Sequence, residues 1–151
     1  MSTETSTAAS ATSNGTLGAA FGATLGAIGI GVRDLQRSAG FYQRVLGMKQ
    51  LQTFKLPYMD EIVLGLEGSR GSAIVLMHWT DGSERHYGSN GIKLVFYVPD
   101  PKAVAQRFRD EGLEVVREPA PVPGLGDAIV GFAKDPDGHL IELLQATVRA
   151  A

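Results

Sequence analysis

Cysteine is absent from this chain of 151 residues. Its absence excludes disulfides, thiolate metal sites and a cysteine nucleophile, and it fits a reducing cytoplasm. Positive charge is missing from the start of the chain, where the first Lys or Arg is Arg33. A secretory signal needs a basic start and an apolar run, so export is not expected and a cytoplasmic location is. No stretch approaches the ~20 consecutive apolar residues of a membrane helix. There is no basic excess either: Lys and Arg number 14 against 16 Asp and Glu, for a net charge of -2. With no basic face standing out, nucleic acid is not an expected partner. The opening residues, 1–22, are rich in Ser, Thr, Ala and Gly and can bury little, so they read as a flexible tail.

What is present is a module written twice. The overall 44% hydrophobic content supports one compact domain, expected over 23–147. Residues 25–79 form the first module, 92–146 the second, and the polar, glycine-rich stretch 80–91 the linker. Each module opens with an alternating strand, Ile28-Gly29-Ile30-Gly31-Val32 or Leu94-Val95-Phe96-Tyr97-Val98. Each strand runs into an Asp-led turn, at Asp34 or Asp100, whose carboxylate suits a helix N-cap. Pro101 then takes a first helical position, where a missing N–H costs nothing. Each helix stops at a glycine, Gly47 or Gly112. Further strands are expected near 48–55, 61–66 and 72–79, and near 113–117, 128–134 and 139–145. A Pro/Gly-rich loop, Pro119 to Asp127, falls between two of them and could lid a cavity or be plain surface. Asp135-Pro136-Asp137-Gly138 is a tight turn before the last strand. The plan is β-α-β-β-β twice.

Residues 32–35, Val-Arg-Asp-Leu, are followed by Ser38-Ala39-Gly40-Phe41-Tyr42 and Val45-Leu46-Gly47-Met48. This run resembles the opening of the glyoxalase/bleomycin-resistance/dioxygenase families of the vicinal oxygen chelate superfamily. Residues 134–143, Lys-Asp-Pro-Asp-Gly-His-Leu-Ile-Glu-Leu, resemble its closing strand. The resemblance covers about residues 25–146. It implies an α+β fold in which two β-α-β-β-β modules form an open, curved, barrel-like sheet, and it implies a homodimer. In metal-dependent members, a divalent ion takes one ligand from each of strands one, four, five and eight, typically His or Gln, Glu, His and Glu. The matching positions here are Ala27, Val75, Lys93 and Glu142. Only Glu142 is an ordinary ligand, whereas Ala27 and Val75 have no donor and Lys93 is a cation at neutral pH. No metal and no other cofactor are therefore expected.

Strand alternation fills the cavity face instead with Ala27, Gly29, Gly31, Val75, Met77 and Trp79 from the first module. The second module supplies Lys93, Val95, Tyr97, Leu140, Glu142 and Leu144. That is the composition of a small-molecule pocket. Gly29 and Gly31 leave room for another backbone, a side chain or a ligand. They lie within a strand, so they are no dinucleotide fingerprint. Tyr58 and Trp79 could stack on an aromatic ligand or simply pack. Lys93 and Glu142 could plug a former metal site as an ion pair, with Tyr97 adding a hydrogen bond. Alternatively Lys93 binds a substrate oxygen while Glu142 moves a proton, with Tyr97 as a third catalytic candidate. His78, His86 and His139 fall off the cavity parity or in the linker.

The primary expectation is a protein of the bleomycin-resistance kind that binds or sequesters a small apolar or aromatic compound. The alternative is a metal-independent lyase or isomerase acting on a small carbonyl compound through Lys93 and Glu142.

Overall fold

The computed structural model describes residues 22, 25–68, 72–88 and 90–146. The expected tail over 1–22 lies, except for Gly22, outside the described residues. The chain folds as α+β. Strands β1 (Ala27–Gly31), β2 (Lys49–Lys55), β3 (Met59–Gly65) and β4 (Ala73–Trp79) surround helix α1 (Leu35–Leu46) in sequence. Strands β5 (Lys93–Val98), β6 (Val115–Val122), β7 (Ala128–Lys134) and β8 (Leu140–Gln145) accompany helix α2 (Pro101–Asp110) in the same way. The two sheets have matching orders, β1-β4-β3-β2 and β5-β8-β7-β6. In each, the first and last strands pair parallel and the other pairings are antiparallel. The repeat seen in the sequence is a repeat of topology.

The helix ends are built as the sequence requires. Asp34 accepts the Arg37 N–H at 2.9 Å, and Asp100 accepts those of Lys102 and Ala103 at 3.0 and 3.1 Å. Gly47, at φ 69°, takes the left-handed conformation that stops α1. The Met48 N–H then reaches back to the Tyr42 carbonyl at 3.1 Å.

One face of each sheet packs under the helices. Ile30, Ile62, Leu76, Phe96, Ile141 and Leu143 belong to a single core cluster that spans both modules. The helices meet within it, with the Phe41 and Phe108 rings edge to face at 5.2 Å between centroids. Polar contacts join the modules as well. Asp137 accepts the Arg33 N–H and the Ser38 hydroxyl, both at 2.9 Å. The Nε2–H of His139, which is buried, meets the Gly31 carbonyl at 2.7 Å. Asn90 Nδ2 stands 3.4 Å from the other ring nitrogen. Among the described residues no buried side-chain nitrogen or oxygen lacks a partner.

Two expectations need correction. The Pro119–Asp127 stretch is not wholly a loop, because β6 continues through Pro119 and Pro121 to Val122, and a short 3-10 turn over Pro123–Leu125 follows. A strand at the sheet edge tolerates proline, since the missing N–H need not pair, and its ladder shifts register twice before Ala120. With Ala27, Gly29 and Gly31 expected on the cavity face, alternation turns Ile28 toward the helix. It is nevertheless 44% exposed, because it lies at the outer end of β1 beside a cavity.

Candidate functional site

The faces turned away from the helices carry the chemistry. On β5, Leu94, Phe96 and Val98 are buried, and Lys93, Val95 and Tyr97 are exposed. On β4, Ile74 and Leu76 are buried while Val75, Met77 and Trp79 are half-buried. The alternation expected from the sequence is therefore present in both modules.

Register fixes what lies beside what on the second module's free face. Glu142 is flanked by Val95 on β5 and Phe132 on β7, and Arg117 on β6 lies beyond Phe132. Lys93 Nζ stands 2.5 Å from Glu142 Oε2. The two ends of this pair differ in setting: the Lys93 side chain is 46% exposed and that of Glu142 only 9%. A carboxylate held in the sheet thus faces an ammonium that incoming molecules can touch. Two cations flank the Phe132 ring, with Lys93 Nζ and the Arg117 guanidinium each 5.9 Å from its centroid. Tyr97 is 73% exposed and makes no hydrogen bond to the pair.

The first module's free face is closed by its own side chains. A Cβ built on Gly29 would lie 3.0 Å from Met77 Sδ. One on Gly31 would lie 2.7 Å from Tyr87 Cε1 and 3.1 Å from Trp79 Cζ3. The small residues of β1 are thus required by rings and a thioether rather than by a backbone. Arg33 lies over the Tyr87 ring at 4.7 Å and Arg85 over Trp79 at 4.5 Å. The inter-module segment therefore forms an aromatic and cationic wall at the end of β1.

A cavity of about 580 Å³ opens at the seam between the β1 and β5 edges. Of the residues singled out from the sequence, Ala27, Lys93, Val95 and Tyr97 line it. Gly29, Gly31, Val75, Met77 and Trp79 lie on the first module's free face, and Leu140, Glu142 and Leu144 on the second's. Tyr58 is exposed beside the β2–β3 turn. His78 Nδ1 meets the Val32 carbonyl at 3.1 Å, and His86 is exposed.

Three free-face residues were missed in the sequence. Glu61 pairs with Met77 across β3 and β4, and alternation with Ile62 and Leu64 would have found it. Phe132 follows from counting back through the Asp135–Gly138 turn. Arg117 does not, because β6 shifts register around it.

The residues present do not fit a divalent ion at the family's ligand positions. Ala27 and Val75 offer no donor atom, and the single carboxylate of Glu142 is engaged by an ammonium. Among the described residues no group of three His, Cys, Asp or Glu is placed to hold a metal. What the arrangement offers is a proton-accepting carboxylate beside a cation, at the edge of an apolar slot.

Known proteins place these features in a lineage. The profile of the Glyoxalase/Bleomycin resistance protein/Dioxygenase superfamily matches residues 24–143. A lactoylglutathione lyase of Salmonella typhimurium is 38% identical over 118 residues, covering 76% of this chain and 87% of that protein. One from Escherichia coli O157:H7 is 33% identical over 117 residues, covering 76% and 86%. The crystal structure of Zea mays glyoxalase I superposes with a TM-score of 0.71 at 27% identity, over 82% of this chain. This chain spans only 45% of the maize protein. Leishmania major glyoxalase I gives 0.66 at 27% identity, covering 82% and 86%. These relatives are named as enzymes, which overturns the expectation of a protein that only binds or sequesters its ligand. The composition of the free faces suggested binding because three ligand positions were lost, but that loss leaves the Lys93–Glu142 pair in place. The chain belongs to the Glyoxalase/Bleomycin resistance protein/Dioxygenase superfamily.

Proposed function

We propose that this protein is a metal-independent lyase or isomerase of a small carbonyl compound. The carrying observation is the 2.5 Å contact of Lys93 Nζ with Glu142 Oε2 on an accessible free face. The lyase names of relatives at 33% and 38% identity support the reaction class. In this reading the Lys93 ammonium takes the substrate's carbonyl oxygen as its partner. Negative charge gathers on that oxygen when a neighbouring carbon loses its proton, and the cation stabilises it. Glu142 receives the carbon-bound proton and returns it to the adjacent carbon. Tyr97 stands at the open side of the slot and contacts the substrate's far end. No cofactor enters the cycle.

We also infer a homodimer located in the cytoplasm, with a small molecule as its other partner. Exposed Leu51 and Phe54 on the edge strand β2, outside the slot, support a second copy there. Among the described residues no helix is long and apolar enough to cross a membrane.

The test is hydrogen–deuterium exchange at the carbon next to the carbonyl of small hydroxyketones, followed by NMR with chelator present. Exchange is expected to survive chelation and to fall by about 10²–10⁴ in Glu142→Gln. Exchange that needs an added divalent ion, or that persists in Glu142→Gln, overturns the proposal.

A further inference from the structure

We propose that the substrate is a free hydroxyketone with an apolar chain, rather than a conjugate of a charged thiol. The inference rests on the reading of Lys93 and Glu142 given above and names the substrate class of that site. The observation is the make-up of the slot. Its volume is about 580 Å³, and of its thirteen lining residues only Lys93, Ser72 and Tyr97 have polar groups in their side chains, Lys93 alone being charged. Lys93 lines the slot while its Nζ reaches over β8 to Glu142, which is paired with Val95, itself a lining residue. A carbonyl held at Nζ can therefore send its chain across Val95 toward Ala27, Ile28, Met48, Leu66 and Ile74. A thiol tripeptide bears carboxylates and an ammonium, and such groups pay a desolvation cost wherever they lack partners. The slot has one cation, and Glu142 already neutralises it. A hydrocarbon chain pays no such cost and gains about fourfold in binding for each methylene buried.

The step balances without an added reagent. Glu142 takes a proton from C1 of a 1-hydroxy-2-alkanone. The freed electron pair forms the C1=C2 bond while the C2–O π pair moves onto oxygen, which takes a proton from Lys93. An enediol results. The C1 hydroxyl then returns a proton to Lys93 as C1=O forms, and Glu142 delivers its proton to C2. The product is the isomeric 2-hydroxyalkanal, and nothing is oxidised or reduced overall.

The experiment compares hydroxyacetone, 1-hydroxy-2-hexanone and 1-hydroxy-2-nonanone by C1 deuterium exchange in heavy water. The glutathione hemithioacetal of methylglyoxal is run beside them. The expected kcat/KM rises about fourfold per methylene from hydroxyacetone to the hexanone, about sixtyfold in all. Ala73→Leu, which narrows the slot, is expected to flatten that slope, with a thermal melt to show that it folds. Lys93→Met is expected to abolish exchange at every chain length. Equal kcat/KM across the series overturns this inference alone, and so does a slot covered by a second copy, which gives the same flat series. A hemithioacetal processed faster than every free ketone also overturns it alone. Exchange of no compound overturns the proposed function and this inference together.

Discussion

The Tyr42 hydroxyl donates to Asp135 Oδ2 at 2.8 Å, tying α1 of one module to the β7–β8 turn of the other. Tyr42 is fully buried and Asp135 only 3% exposed. The other carboxylate oxygen accepts the backbone N–H groups of Asp137 and His139 at 2.9 and 2.8 Å. The pair therefore holds the turn from which β8 and Glu142 begin. Removing the hydroxyl in Tyr42→Phe leaves a buried carboxylate oxygen without its donor. The expected loss is about 1–3 kcal/mol in urea unfolding.

The same contact gives an alkaline limit. Burial first, and then the charge of Asp135, push the Tyr42 phenol well above its ordinary value. Because the folded value lies above the unfolded one, the stability it contributes is whole below about pH 10. It is lost as pH rises through the folded value, since the unfolded phenol ionises first. Stability of the parent protein should fall more steeply above pH 10 than that of Tyr42→Phe. Parallel pH slopes would show that another group controls the limit.

Gly31 is set against rings. Its ideal Cβ would lie 2.7 Å from Tyr87 and 3.1 Å from Trp79, so Gly31→Ala must displace at least one ring. The expected cost is about 1–3 kcal/mol. Trp79 is the single tryptophan, so its emission reports the wall directly. Gly31→Ala should shift the emission, and adding Tyr87→Ala should recover part of the lost stability. An unchanged spectrum in Gly31→Ala would show that the wall yields freely.

Why so much of the fold was legible follows from these details. Helix ends were readable because Asp34, Pro101 and Gly47 act locally, through hydrogen bonds and dihedral angles set within a few residues. The two free faces were readable because strand parity is strict wherever the other face is buried. Arg117 was hidden because an edge strand with register shifts breaks parity. The seam cavity was hidden for a different reason. It depends on how the edges of β1 and β5 meet, and no local pattern encodes the approach of two edges that share no ladder. Tyr87 was hidden because its packing on Gly31 joins a loop to a strand far from it in sequence.

If ligand chemistry alone separates this chain from metal-dependent members, restoring the donors should restore the ion. The triple variant Ala27→His, Val75→Glu, Lys93→His would set four donors with Glu142. It is expected to bind about one zinc or nickel ion per set of donors. The parent should retain none after gel filtration. Calorimetry and elemental analysis check both. A parent protein that carries a stoichiometric ion would contradict the argument from donors, and a triple variant that folds but binds none would show that these positions do not converge.

The ion pair itself can be separated from its chemistry. Lys93→Met leaves the Glu142 carboxylate, 9% exposed, facing a thioether. Breaking a buried pair by removing one partner is costly, but Lys93 is 46% exposed and solvent screens much of the loss. A penalty on the order of 1 kcal/mol is expected. Lys93→Met with Glu142→Leu removes both charges and should return most of that stability, because no carboxylate remains to be desolvated. Urea unfolding of the four species closes the cycle. Lys93→Arg keeps the cation and should keep the stability, yet its planar guanidinium places the charge differently. If Lys93→Arg retains stability and loses α-proton exchange, the lysine's position against the carbonyl oxygen matters, and not its charge alone. If it retains both, Lys93 acts only as a local positive charge.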